Sequence, residues 1–206
     1  MRKEYIKHKL EEKDVNKNPI LQFEEWFNAA GDSNLVEHYI MTLATADKQG
    51  RPSARIVLMR NFDENGFVFF TNYASRKGQD ILENPNACLL FFWQELERQV
   101  RIEGQLEKIT DKESDLYFES RPYESRLGAW TSEQSKVIDG RHILDTRFEE
   151  FSKKYADGYV PRPPHWGGYR LKPAHIEFWQ GRPSRLHDRI LFTLENREWK
   201  MERLAP

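Results

Sequence analysis

The sequence predicts an α+β protein built on an antiparallel barrel, and three observations lead there. Short apolar runs with strand character are joined by tight turns, as in hairpins. Helical segments with recognisable caps are inserted between those hairpins. Closing the sheet into a barrel would remove the exposed edges that such short strands otherwise present. Periodicity does not separate a barrel from a sandwich, and both remain open at this point.

Residues 1–18 are rich in charge and poor in apolar groups, which predicts a mobile arm, with residues 19–206 as one domain. Asn18-Pro19 reads as an N-cap and a first-turn proline, opening a helix over residues 19–30 that Gly31 can end. Residues 38–46 and 53–60 predict a strand pair around Gly50, and residues 67–71 a third strand after the turn at Gly66. Ser75 is the N-cap of a short helix that stops before Pro85. Residues 87–93 and 99–106 form a further strand pair, with Val100 and Ile102 alternating against Gln99, Arg101 and Glu103. Thr110 with Glu113 is a capping box, and the helix it opens should end or kink at Pro122. Residues 142–155 predict an amphipathic helix closed by Gly158. Beyond the stiff 161–164 connection lie strands at 168–171, 175–180, 189–194 and 199–203.

Composition narrows the function. Hydrophobic residues at 38% and charged residues at 32% suit a folded domain, and a net charge of -1 leaves no basic excess for general nucleic-acid or anionic-membrane binding. Any basic site must be local. Cys88 is the single cysteine and sits in an apolar run, so it reads as a buried structural thiol rather than a nucleophile. The scattered histidines give no metal constellation. With no signal segment and no long apolar stretch, a soluble cytoplasmic protein is expected. No nucleotide-binding glycine motif and no serine-hydrolase elbow occurs.

Three basic clusters remain. Arg76 and Lys77 follow Ser75 at a helix start, where free N–H groups and positive potential suit a phosphate; a solvated basic turn is the plain alternative. Tyr117, Arg121 and Ser125 are spaced by four and would share a face of a continuous helix, an alignment that Pro122 interrupts. In an extended chain Arg185, His187 and Arg189 would point one way and Leu186 the other, suiting an anionic aromatic ligand or a charged surface strand. Arg55 and Arg60 have an odd separation, so a regular strand would put them on opposite faces unless it twists or ends between them. The tryptophans, Trp93, Trp130 and Trp166 among them, are expected in the core.

The sequence words themselves then carry a resemblance. Arg55-Ile56-Val57-Leu58, Phe69-Phe70-Thr71-Asn72, Ser75-Arg76-Lys77, Glu97-Arg98-Gln99-Val100, Ser120-Arg121-Pro122, Gln134-Ser135, Trp166-Gly167-Gly168, Glu177-Phe178-Trp179-Gln180-Gly181, Arg185-Leu186-His187-Asp188-Arg189 and the terminal Glu202-Arg203-Leu204-Ala205-Pro206 occur in this order. Together they closely resemble the pyridoxine/pyridoxamine 5'-phosphate oxidase family, from Arg2-Lys3-Glu4-Tyr5 to the last residue. The resemblance implies an FMN-binding split β-barrel with peripheral helices that forms a homodimer with FMN at the interface. It assigns Arg55, Ile56, Val57, Leu58, Met59, Arg60, Phe70, Thr71, Arg76 and Lys77 to FMN from one subunit, and Gln99, Gln134, Ser135, Trp179 and Arg189 from the other. Arg60, Tyr117, Arg121 and Ser125 would hold the substrate phosphate. Arg185, Leu186 and His187 would cover the pyridine ring, with Arg185 and His187 in the catalytic role, and Arg2, Lys3, Glu4 and Tyr5 would form a flap. Arg60 departs from the family, which usually has lysine there; a planar fork replaces a compact ammonium.

The implied reaction oxidises pyridoxine 5'-phosphate or pyridoxamine 5'-phosphate at C4', with O2 as final acceptor and hydrogen peroxide released. Two rivals stand beside it: a split-barrel flavoprotein with another substrate, and a non-catalytic carrier of pyridoxal phosphate.

Overall fold

The computed structural model describes residues 5–33 and 35–206. After the extended start comes α1 (Pro19–Asp32), capped by the Asn18 side chain accepting from the Ile20 N–H. The helix runs through Gly31 rather than ending there and closes at Ser33, whose N–H donates to the Ala29 carbonyl. Two hairpins follow: β1 (Ile40–Ala46) with β2 (Pro52–Leu58), and β3 (Asn61–Asp63) with β4 (Gly66–Asn72). Next come α2 (Arg76–Glu83), β5 (Asn86–Trp93) and β6 (Arg98–Lys108). Three helices, α3 (Asp111–Glu119), α4 (Tyr123–Thr131) and α5 (Arg141–Lys154), then separate these strands from β7 (Trp166–Gln180), β8 (Asp188–Glu195) and β9 (Glu198–Leu204).

The two strands expected at 168–171 and 175–180 are one, because Pro173 is absorbed where the β6–β7 register shifts at Glu103/Gly104. All pairings are antiparallel, in the order β2-β1-β5-β6-β7-β4-β3. The strand β7 pairs with β6 along its length; its other edge takes β4 near the start and β8 near the end. One edge shared by two partners splits the curled sheet, and the barrel alternative therefore holds over the sandwich.

The main core fills the inside of this sheet. Phe23 on α1 meets Phe67, Phe62 and Phe91 edge-on at 4.9–5.1 Å between ring centres. Full burial of such a ring stabilises by about 1.5–3 kcal/mol, so this one helix side chain anchors α1 across the barrel. A second, smaller core of Phe118, Leu127, Val160 and Trp166 holds α3 and α4 against the start of β7.

The described part of the N-terminal arm packs against the barrel. Leu10 and Val15 are buried in the main core, the Ile6 and Lys7 N–H groups donate to the Glu97 carboxylate, and Arg203 pairs with Glu12. Arg2, Lys3 and Glu4 lie outside the described residues. Among the described residues no helix is long and apolar enough to cross a membrane, and no acidic, histidine or cysteine cluster could hold a metal.

Candidate active site

A cavity of about 830 Å³ opens between β2, β4, α2 and the α3–α4 pair. Its first pole is built by the start of α2. Ser75 caps the helix by accepting from the Gly78 N–H, so Arg76 and Lys77 occupy the first turn. Gly78 is needed for packing: a Cβ there would stand 2.0 Å from the Tyr73 carbonyl oxygen. Its absence lets α2 sit close against the chain leaving β4. Lys77 Nζ donates to Thr71 Oγ1 at 3.0 Å and to Gln134 Oε1 at 2.9 Å. Burial, with Arg55 nearby, pushes the Lys77 pKa down to about 8.

The second pole is built by the α3–α4 corner. The capping box at Thr110 and Glu113 forms as expected, and Pro122 ends the first helix and precedes the second. Tyr117 lies on α3, Arg121 in the corner and Ser125 on α4, so no single helix face carries them. All three nevertheless line the cavity. Tyr117 stacks on Phe70 at 3.8 Å and lies parallel to Trp166, and the Arg121 guanidinium sits 4.7 Å over the Trp166 ring. Burial pulls the Arg121 pKa below its ordinary value, with Tyr117 opposing and Arg60 adding to the effect. Arg121 Nη1 is buried and has no hydrogen-bond partner among the described residues.

Arg55, Arg60, Arg76, Lys77 and Arg121 line this cavity, and among the described residues no carboxylate does. Asp80, 3.8 Å from Arg55, compensates part of this charge, and the remaining cations held this close together cost free energy unless an anion joins them. Their grouping is twofold: Arg76 lowers the Arg55 pKa and Arg55 lowers that of Lys77, while Arg60 acts on Arg121. The cavity therefore presents two groups of cations and a wall of stacked rings, Phe70, Tyr117 and Trp166.

A separate recess of about 240 Å³, sharing no lining residue with the first, lies between Gln99, Trp179, Arg189 and Pro206. Gln99, Trp179 and Arg189 are directly opposite one another on β6, β7 and β8. Glu177 is buried and bridges Arg189 and Arg101, at 2.7 Å to Arg189 Nε and 2.6 Å to Arg101 Nη2. At one end of this ladder His187 packs on Trp179 at 4.7 Å and on Tyr5 at 5.9 Å. Gly181 gives Tyr5 its place, since a Cβ there would come within 2.6 Å of the Tyr5 ring.

Most expected site residues converge. Arg55, Ile56, Val57, Leu58, Arg60, Phe70 and Thr71 line the large cavity, and β2 ends at Leu58, which frees Arg60 from the strand's alternation. Three expectations change. Met59 is buried in the main core and borders neither the large cavity nor the recess, because its backbone is pinned by a bond to the Tyr39 carbonyl and its side chain points inward. Gln134 and Ser135, expected from the other subunit, border this chain's own cavity beside Lys77. Arg185, His187 and Arg189 do not share one extended face: residues 183–185 form a 3-10 turn with Ser184 and Arg185 at φ of 57° and 62°, and β8 begins only at Asp188. Arg185, Leu186 and His187 line neither cavity described here. Trp166 lies in the second core as expected and also forms part of the cavity wall, which Asn72 and Ser132 join. The Asn72 position was visible in the Phe69–Asn72 word, whereas Ser132 carried no signal.

Comparison with known proteins places this architecture. Residues 28–155 match the family model for pyridoxamine 5'-phosphate oxidase, and residues 166–206 that for the pyridoxine 5'-phosphate oxidase C-terminal dimerisation region. Proteins named pyridoxine/pyridoxamine 5'-phosphate oxidase from Burkholderia mallei and Burkholderia thailandensis are 58% identical, covering 100% of this chain and 97% of theirs. Among solved structures, PhzG from Burkholderia lata, in complex with tetrahydrophenazine-1-carboxylic acid, superposes with a TM-score of 0.89 at 31% identity, covering 94% of this chain and 95% of that one. A pyridoxamine 5'-phosphate oxidase-related, FMN-binding protein from Nostoc punctiforme shares the fold, with a TM-score of 0.73 at 20% identity over 93% of this chain and 100% of that one. The cation-lined cavity with its aromatic wall suits the phosphate and ring of FMN, and the chain belongs to the pyridoxamine 5'-phosphate oxidase family of FMN-binding split barrels.

Proposed function

We propose that this chain oxidises pyridoxine 5'-phosphate and pyridoxamine 5'-phosphate to pyridoxal 5'-phosphate, with O2 as acceptor and hydrogen peroxide as by-product. One observation carries the reading: a second cationic pole, Arg60 and Arg121 with the Tyr117 and Ser125 hydroxyls, in the same cavity as the Arg55–Arg76–Lys77 pole. One pole serves the cofactor phosphate; the other is left for a substrate that is itself a phosphate ester. The buried, unpartnered Arg121 Nη1 supports this, because a phosphate oxygen is the acceptor it lacks. The names of the 58%-identical relatives support the same substrate.

Bound FMN supplies the two-electron acceptor chemistry. The chain's own residues position and polarise. Arg76 and Lys77 clamp the cofactor phosphate, Arg55 backs them, and residues 56–58, Phe70 and Thr71 line the remaining length. The Gln99–Trp179–Arg189 ladder serves the cavity of the second subunit, and Arg185 and His187 come with it to cover the substrate ring. His187 Nδ1 accepts from the Arg182 N–H at 3.1 Å, which leaves the proton of the neutral ring on Nε2. Burial, and then Arg185, hold its pKa below the ordinary value, so the ring is neutral at pH 7. With Nδ1 engaged and Nε2 a donor, His187 orients substrate and steadies charge at C4' and forms no covalent bond.

The test is the visible spectrum of the purified protein under nitrogen. Pyridoxine 5'-phosphate should bleach the flavin bands and air should restore them. A flavin reduced by tetrahydrophenazine-1-carboxylic acid but not by either B6 phosphate would overturn the substrate. A flavin that neither B6 phosphate reduces, in a protein that binds pyridoxal phosphate, would identify a carrier instead.

A further inference from the structure

Arg55 is held in an unusual way. Its Nη1 donates to Thr45 Oγ1 at 2.7 Å and to the Leu43 carbonyl, and its Nη2 donates to Ser53 Oγ. Both hydroxyls in turn lie 2.7 Å from one carboxylate oxygen, Oδ2 of Asp80. Asp80 itself is 3.8 Å from the Arg55 guanidinium and is buried, with 7% exposure. A hydroxyl has one proton. With each proton committed to Asp80, both oxygens turn their lone pairs towards Arg55, and the fork is gripped by its two Nη groups. Arg55 Nε makes no hydrogen bond to any described residue, and the side chain borders the large cavity.

Asp80 also stands on α2, one turn after Arg76 and Lys77. It ties that helix to Thr45 on β1 and Ser53 on β2, and so fixes the spacing between the α2 cations and the β2 cation. A direct bidentate Asp80–Arg55 pair would have spent more of the guanidinium's donors on the carboxylate. The hydroxyl relay holds the fork by its two Nη groups and leaves Nε free of partners among the described residues.

We propose that Asp80, acting through the hydroxyls of Thr45 and Ser53, is the positioning residue that sets Arg55 and the α2 cations for the FMN phosphate. The inference rests on the proposed placement of that phosphate at Arg55, Arg76 and Lys77. Riboflavin, which lacks the phosphate, is the discriminating probe. The full-length chain, stripped of flavin, is titrated with FMN and with riboflavin, following flavin fluorescence. For Asp80→Asn, FMN affinity should fall by about tenfold, the scale of one hydrogen bond to a charged group, while riboflavin affinity stays within about twofold. Thr45→Val, a milder change on the same relay, should do likewise. The double variant should lose little more than either single one, since both break one chain of contacts. Equal losses for FMN and riboflavin in both variants would make Asp80 merely structural and overturn the inference. Unchanged FMN affinity in Asp80→Asn would overturn it as well. Failure of the underlying placement is distinguishable: Arg76→Ala and Lys77→Ala would then leave the wild-type preference for FMN over riboflavin intact.

Discussion

With the FMN phosphate placed at Lys77 as proposed, FMN affinity should depend on pH in a direction fixed by that residue's surroundings. Burial and Arg55 bring its pKa down to about 8, and the groups it touches, Thr71, Ser75 and Gln134, are neutral. A bound phosphate would favour the ammonium and raise that pKa, so binding takes up a proton wherever free Lys77 is deprotonated. Affinity is then full below about pH 8 and falls as pH rises, by about tenfold per unit, equivalent to about 1.4 kcal/mol. Between pH 7 and 9 the loss should be about tenfold. The phosphate is already a dianion above its second pKa of about 6, so it adds no slope there. The assay is fluorescence titration of the flavin-free chain from pH 6.5 to 9.5. Lys77→Arg keeps its charge throughout and should flatten the profile. A flat profile for the unaltered chain, or an unchanged slope in Lys77→Arg, would refute the reasoning.

Arg60→Lys should change the KM for pyridoxine 5'-phosphate severalfold and leave FMN retention unaltered; loss of FMN at constant KM would move Arg60 to the cofactor pole. Arg185→Ala should slow single-turnover flavin reduction by at least tenfold, and full-rate reduction in stopped flow would remove it from the chemistry. In Gly78→Ala the new Cβ meets the Tyr73 carbonyl, so α2 must shift; FMN affinity should fall at least tenfold, whereas the exposed neighbour change Gln79→Ala should not alter it. Glu177→Gln leaves Arg101 and Arg189 without their shared buried carboxylate. It should cost about 1–3 kcal/mol, discounted for the partial exposure of both arginines, and lower Tm by several degrees in thermal melts. An unchanged Tm would show that the bridge contributes nothing net.

Local chemistry was the part of the fold written most plainly in the sequence. Asn18, Ser75 and the Thr110–Glu113 box announce their helices because each cap is a contact within three residues. The Tyr117, Arg121 and Ser125 set was legible as chemistry and not as geometry, since its convergence depends on a corner at Pro122 whose angle is set by packing of Phe118 and Leu127. The fate of Met59 was not legible either: one residue past the end of a strand, alternation stops specifying which way a side chain points. The turn at residues 183–185 needs two non-glycine residues at positive φ, a conformation that their identities do not signal. Asp80 was invisible as a functional residue because the groups it organises come from three separate elements.

The length of β7 acts as a ruler. Trp166 at its first position walls the large cavity, and Trp179, thirteen positions on, belongs to the ladder with Gln99 and Arg189. At about 3.3 Å per residue a straight strand would separate them by roughly 40 Å. Trp166 and Trp179 line different recesses of one chain, and on the proposed reading each is half of a site. Two copies related by a twofold axis would turn those halves into two whole sites, so dilution that separates the copies should silence both at once.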